Sequence, residues 1–156
     1  HACSDPMDNL IEKTTTEITQ DEHNKYITTK DNKGRTLKQE HYDQTGIKYS
    51  QDEFEYKEDG TYEHIHISYE IDGSIRKTVK KEYDSNGNVS QKRIEENNKA
   101  YADLYFYDKE TNVMTGDAHF KYDENGNNYE TQFFNYDENG KLKLMEVKSN
   151  PEQTNS

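Results

Sequence analysis

The chain has 156 residues, 32 acidic and 20 basic side chains, a formal charge of −12, and only 28% hydrophobic residues, with 13 tyrosines among them. Leu, Ile, Val and Phe together number 23, about 15% of the chain, below the roughly 20% at which composition alone points to disorder. The balance excludes a spanning helix of roughly 20 apolar residues, a general nucleic-acid binder or an anionic-lipid surface binder, and, with one cysteine, a disulfide framework or a Cys-rich zinc site.

Residues 1–9 read as a tether. Cys3 follows Ala2, which fits the end of a lipobox, where a small residue precedes a cysteine that is lipidated after cleavage. Anchoring through Cys3 would need the several acyl chains such lipoproteins carry, because one chain holds only marginally. Asp5 and Pro6 could cap and open a short helix. Leu10 to Thr19 instead offers a first strand.

From residue 25 onward the chain repeats. Tyr83-Asp84-Ser85-Asn86-Gly87, Tyr122-Asp123-Glu124-Asn125-Gly126 and Tyr136-Asp137-Glu138-Asn139-Gly140 are the clearest copies, and looser ones end at Gly34, Gly46, Gly60 and Gly73. The glycines at 34, 46, 60, 73 and 87 are 12, 14, 13 and 14 residues apart. Between Gly87 and Gly126 the turns fall at Asn97-Asn98-Lys99 and Lys109-Glu110-Thr111-Asn112, where asparagine takes the left-handed position. Asp-x-Asn-Gly fits a type I turn whose glycine has positive φ as a G1 bulge.

Between turns the sequence alternates. Ile65, Ile67 and Tyr69 fall on one face and His64, His66 and Ser68 on the other, while Ile75, Val79 and Tyr83 are expected to share a face. Period two with β-branched and aromatic residues is a strand pattern. The expected strands are 25–30, 35–42, 47–56, 61–70, 74–83, 88–95, 100–107, 113–122, 127–136 and 141–148. The tyrosine before each turn should oppose the residue six places on: Tyr42 with Lys48, Tyr56 with Tyr62, Tyr69 with Ile75, Tyr83 with Val89, Tyr122 with Asn128 and Tyr136 with Leu142. The expected fold is all-β: an up-and-down antiparallel meander of about ten strands over residues 10–148, an open curved sheet rather than a closed barrel or sandwich. A polar tail, 149–156, follows.

The Tyr-Asp-x-x-Gly unit resembles the YD repeat of RHS and teneurin-type proteins, and MORN-like repeats of bacterial lipoproteins, over roughly residues 42 to 140. A typical YD unit is nearer 20 residues and often continues Gly-Arg-Leu, which only Gly34-Arg35-Thr36-Leu37 approaches. The resemblance implies hairpin repeats at a bacterial surface or in the periplasm. It implies no catalytic residue, because that repeat is a scaffold.

Candidate sites are few. Tyr56, Tyr62, Tyr69, Tyr83, Tyr122 and Tyr136 form the candidate binding face, since tyrosine offers large contact area at low entropy cost. His64 and His66 share a strand face, a geometry that permits two metal ligands with His41 or a carboxylate as a third; a polar row in solvent explains them more simply, so no metal and no cofactor is expected. Asp123-x-Asn125-Gly126-Asn127 superficially resembles a calcium loop, but lacks the ligand set of one. Asn88-Val89-Ser90 reads as an accidental glycosylation sequon. No nucleophile elbow, phosphate loop, dinucleotide fingerprint or zinc-protease motif is present. The expected function is therefore non-enzymatic: a secreted or lipid-anchored β-repeat scaffold for a macromolecular partner, a protein rather than a nucleic acid, with the membrane reached only through the lipid. The alternatives are an acidic immunity or antitoxin-like protein that masks a toxin, and a small-ligand carrier if the sheet closes.

Overall fold

The computed structural model describes residues 13–150. It is all-β, with eleven strands: β1 (Thr15–Gln20), β2 (Asn24–Lys30), β3 (Thr36–Asp43), β4 (Lys48–Tyr56), β5 (Tyr62–Tyr69), β6 (Ile75–Tyr83), β7 (Val89–Glu96), β8 (Lys99–Tyr107), β9 (Met114–Tyr122), β10 (Asn128–Tyr136) and β11 (Leu142–Ser149). They form one sheet in sequence order from β1 to β11, each strand antiparallel to its neighbours. The sheet is open, so it encloses no barrel interior of the kind the carrier reading requires. The first strand occupies Thr15–Gln20 rather than the expected 10–19, and the tether with its candidate helix lies outside the described residues.

The turn chemistry explains the meander. At the β6–β7 turn, Asp84 N–H donates to the Asn88 carbonyl at 2.8 Å and Gly87 N–H to the Asp84 carbonyl at 3.0 Å. Gly87 sits at φ 83°, a conformation that a Cβ disfavours. Asp84 Oδ1 accepts the amides of Asn86 and Asn88, both at 2.9 Å, so one carboxylate satisfies two loop donors. Asp123 and Asp137 repeat this arrangement. All seven turn glycines have φ between 80° and 89°, and Asn97, Asn98 and Asn112 take the same region at 53°, 62° and 60°. Asn97 and Asn98 form the two-residue loop of the β7–β8 hairpin, where Glu96 pairs with Lys99, as a tight hairpin with two left-handed residues requires.

All six expected tyrosine pairs occur. A second irregularity follows most of them. In seven hairpins the register slips by one residue just past the turn, at Leu37, Tyr49, Arg76, Ser90, Thr115, Tyr129 and Lys143. A bulge reverses which side the following residues face. Ile75 accordingly pairs with Tyr69, whereas Val79 pairs with His66 and Tyr83 with Tyr62. Ile75 therefore lies on the opposite face from Val79 and Tyr83, contrary to the alternation read from sequence. The β4–β5 hairpin has no bulge, and the tyrosines on either side of β5, Tyr56 and Tyr69, are 13 residues apart rather than 14. Dropping the bulge and dropping a residue cancel, so the face alternation of the turn tyrosines is preserved.

Pairing and alternation define two faces. One, the histidine face, carries Tyr26, His41, Asp52, Phe54, His64, His66, Val79, Ile94, Asp103, His119 and Phe134. The other, the ion-pair face, carries Lys48 with Glu40 and Lys80 with Glu63, each at 3.0 Å, beside Ile65, Ala102, Ala118 and Phe120. Neither is covered. Among the described residues Ala118 is the one buried hydrophobic side chain, at 1% exposure. Cohesion therefore comes from the backbone ladder and from cross-strand pairs contributing roughly 0.2–1 kcal/mol each, with the exposed ion pairs adding about 0–1 kcal/mol apiece. Stacked rings stand in for a core: Tyr62 lies flat on Tyr83 at 4.4 Å, and Tyr56 meets Tyr62 at 5.9 Å.

Candidate functional site

Four side chains from three neighbouring strands meet on the histidine face. Asp52 of β4 lies directly opposite His66 of β5 and Gln39 of β3. His64 and His41 stand diagonal to it, two residues further along their strands. His41 Nε2 is 2.9 Å from Asp52 Oδ2, while His64 Nε2 and His66 Nδ1 are each 2.7 Å from Asp52 Oδ1. One carboxylate thus accepts from three imidazoles. The side chains of Asp52, His41 and His64 are 17%, 15% and 22% exposed, and His66 is open at 40%. Phe54 stacks on His64 at 4.5 Å, and Tyr26 meets the edge of His41 at 5.2 Å, fixing two of the three rings. Ser50 and Ser68 are paired across β4 and β5, and both are buried. Burial works to raise the Asp52 pKa, but the hydrogen bonds from His64, His66 and His41 outweigh it and hold the carboxyl below its ordinary value.

A second cluster lies across Val79 and Ile94 on the same face, with the stoichiometry inverted. His119 of β9 donates from Nδ1 to Asp103 Oδ1 at 2.7 Å and from Nε2 to Asp117 Oδ2 at 2.6 Å. Burial disfavours the imidazolium, yet the two carboxylates outweigh it and raise the His119 pKa. A carboxylate on each nitrogen favours the doubly protonated imidazolium over the neutral ring. Asp117 is buried, and its Oδ1 has no hydrogen-bond partner. Tyr105 is pushed up to about 12 by burial and then by Asp103, and Tyr136 is raised chiefly by Asp117. Phe134 contacts the His119 ring edge-on at 5.5 Å.

The structure brings His41, His64 and His66 together, as the spacing permits. Among the described residues, no group of three or more His, Cys, Asp or Glu could hold a metal ion. In the loop at Asp123, Oδ1 accepts the amides of Asn125 and Asn127. The six candidate tyrosines do not form one face. Tyr56, Tyr62, Tyr83 and Tyr136 lie on the histidine face, whereas Tyr69 and Tyr122 lie on the other, beneath Lys48 and Arg93. Several are occupied by each other, and the Tyr56 hydroxyl donates to the Thr36 carbonyl at 2.7 Å with Arg35 over its ring. Cys3 lies outside the described residues. Sequence reading missed Asp52, Asp103, Asp117 and His119. For Asp52 the signal was available, because the Tyr56–Tyr62 pair places residue 52 opposite residue 66.

No family model matches the chain, and no curated protein matches it. Among solved structures it is similar to a Bacteroides fragilis protein of unknown function, with 10% identity over 92% of this chain and 96% of that one, at a TM-score of 0.29.

Proposed function

We propose that the chain is a non-enzymatic β-repeat scaffold that presents its sheet to a protein partner, and that it is tethered at the bacterial surface through a lipid on Cys3. The observation that supports this is the single layer. Eleven strands build one open sheet with a single buried apolar side chain among the described residues. Apolar groups stand in solvent on both faces: Phe106 is 51% exposed on the ion-pair face, Met145 54% and Val147 49% on the histidine face. A domain usually covers such a surface with a second layer, and here that cover would be the partner. The charge of −12 favours a partner with a basic surface and speeds its approach.

A photocrosslinking residue placed at Phe106 or at Met145, in protein made in its native cell, should give a discrete adduct from one face. No adduct from either position overturns the scaffold reading. Cys3→Ser in the native precursor should move the protein from the membrane fraction to the soluble one, and an unchanged distribution removes the tether.

A further inference from the structure

We propose that the chain forms a twofold dimer through the outer edge of β11, which pairs antiparallel with β11 of a second copy. Among the described residues, no strand covers that edge. All eight residues of β11 are exposed, with Leu142, Leu144, Met145 and Val147 at 56%, 50%, 54% and 49%. Asn150 N–H donates to the Tyr129 carbonyl at 2.9 Å, in line with the register that sets Lys148 opposite Thr131 and Glu146 opposite Phe133. Hydrogen-bonded pairs alternate along an antiparallel ladder, so Leu144, Glu146 and Lys148 direct their backbone groups to β10. Met145, Val147 and Ser149 turn theirs outward, where a further strand would satisfy them. From Leu144 to Ser149 the edge has no bulge and no proline, two of the devices that otherwise blunt an open edge.

The side chains select a second copy as the occupant. A twofold pairing sets one residue against its own counterpart. With Val147 at that point, Glu146 of each copy lies opposite Lys148 of the other, and Met145 lies opposite Ser149. The outward backbone groups of Met145, Val147 and Ser149 then bond across the join. Glu146 and Lys148 fall at the closer, non-hydrogen-bonded pairs, where opposite charges attract and like charges repel. Centring on Glu146 or on Lys148 sets like charges face to face, and centring on Met145 sets Glu146 against Leu144 and Lys148 against Leu142, with no ion pair. The strand carries two lysines and one glutamate in a chain of charge −12, so it is a locally cationic place for two acidic copies to meet. The other edge fits less well. Glu17 is the only charge on β1, so β1 paired with itself gains no ion pair, and β1 paired with β11 joins unlike edges and grows a filament instead of closing.

The test is sedimentation equilibrium of the full chain over a wide range of concentrations. An equilibrium between the 18.4 kDa monomer and a species of twice that mass is expected. Val147→Pro removes an outward N–H at an edge position where proline is tolerated, and should abolish the dimer while leaving the circular dichroism of the chain unchanged. Glu146→Lys sets lysine against Lys148 in both symmetric pairs and should weaken the dimer about tenfold or more. Adding Lys148→Glu exchanges the two charges and should return the dimer to within about threefold of the wild type. Ile18→Lys on β1 should leave it unchanged. If Val147→Pro fails to fold, the charge exchange decides. A monomer at every concentration, a dimer indifferent to Glu146→Lys, no rescue by the exchange, loss with Ile18→Lys, or growth beyond the dimer overturns the proposal. The measurement needs no other protein and no membrane, so its failure is separate from that of the scaffold reading.

Discussion

Replacing Gly87 with alanine isolates what the turn glycine contributes. A Cβ built at Gly87 meets nothing within 4 Å, so steric overlap with the rest of the fold adds no cost. The Gly87 N–H that donates to Asp84 also survives the change. What remains is the backbone at φ 83°, which an L side chain resists by about 1–2 kcal/mol. A loss of about 1 kcal/mol lowers the melting temperature of a domain of this size by roughly 2–4 °C. Gly87→Asn should cost clearly less, because asparagine tolerates the left-handed region and three asparagines of this chain already occupy it. Urea and thermal unfolding of the wild type and both variants, followed by circular dichroism, read the difference. Equal losses for alanine and asparagine, or no loss for alanine, would show that backbone conformation is not what the glycine supplies.

Gly116→Ala should be destabilising for the opposite reason: its φ is not left-handed, but its Cβ would stand 2.8 Å from the Phe134 carbonyl oxygen, an overlap expected to cost about 1–3 kcal/mol in urea unfolding. Asp52→Ala removes the acceptor of three imidazoles and should cost about 1–3 kcal/mol, with Asp52→Asn losing less because one acceptor oxygen remains; equal urea midpoints for the two would refute the cluster's energetic role. His119 has a raised pKa in the fold, so its stabilisation is complete below the unfolded value of about 6.5 and fades as pH rises through the folded value. Urea midpoints across that window should fall for the wild type and stay flatter for His119→Gln. Asp52 works at the other end: its pKa is depressed, so its stabilisation holds above the unfolded value of about 3.9 and is lost as pH falls through the folded one.

The turns were legible because each one is a local event. Asp84, Asn86 and Gly87 specify their own loop through bonds no more than four residues long, and the same holds at Asp123 and Asp137. Strand type and order followed from period two and from the near-constant spacing of the glycines. The faces were only partly legible. A bulge at Arg76 or Tyr129 has no residue signature comparable to Asn-Gly, yet it inverts everything beyond it, which is why Ile75 was assigned wrongly; Tyr62 and Tyr69, seven residues apart on β5, part by simple alternation. Asp52, His64 and His66 sit in the bulge-free β4–β5 hairpin, where simple counting from Tyr56 and Tyr62 works, whereas His41 reaches them from β3 across the bulge at Tyr49. The His119 cluster lies beyond the bulge at Thr115 and an Asn112 turn without glycine, and no count along the chain reaches it.

From β3 to β6 the tyrosines that lead into the turns alternate across the sheet, Tyr42 and Tyr69 on one side and Tyr56 and Tyr83 on the other; the alternation lapses over β7 and β8, which return Tyr107 to the side of Tyr83, and resumes with Tyr122 and Tyr136 on opposite sides. Where the alternation holds, one repeat reverses both the direction of travel and the face that everything downstream presents. Duplicating or deleting a single unit would turn the remainder of the protein upside down, parting Asp103 and His119 from the surface that bears Asp52. Two units restore both. An insertion of two such units, each 14 residues long as from Gly126 to Gly140, would lengthen the sheet and leave its two surfaces where they are.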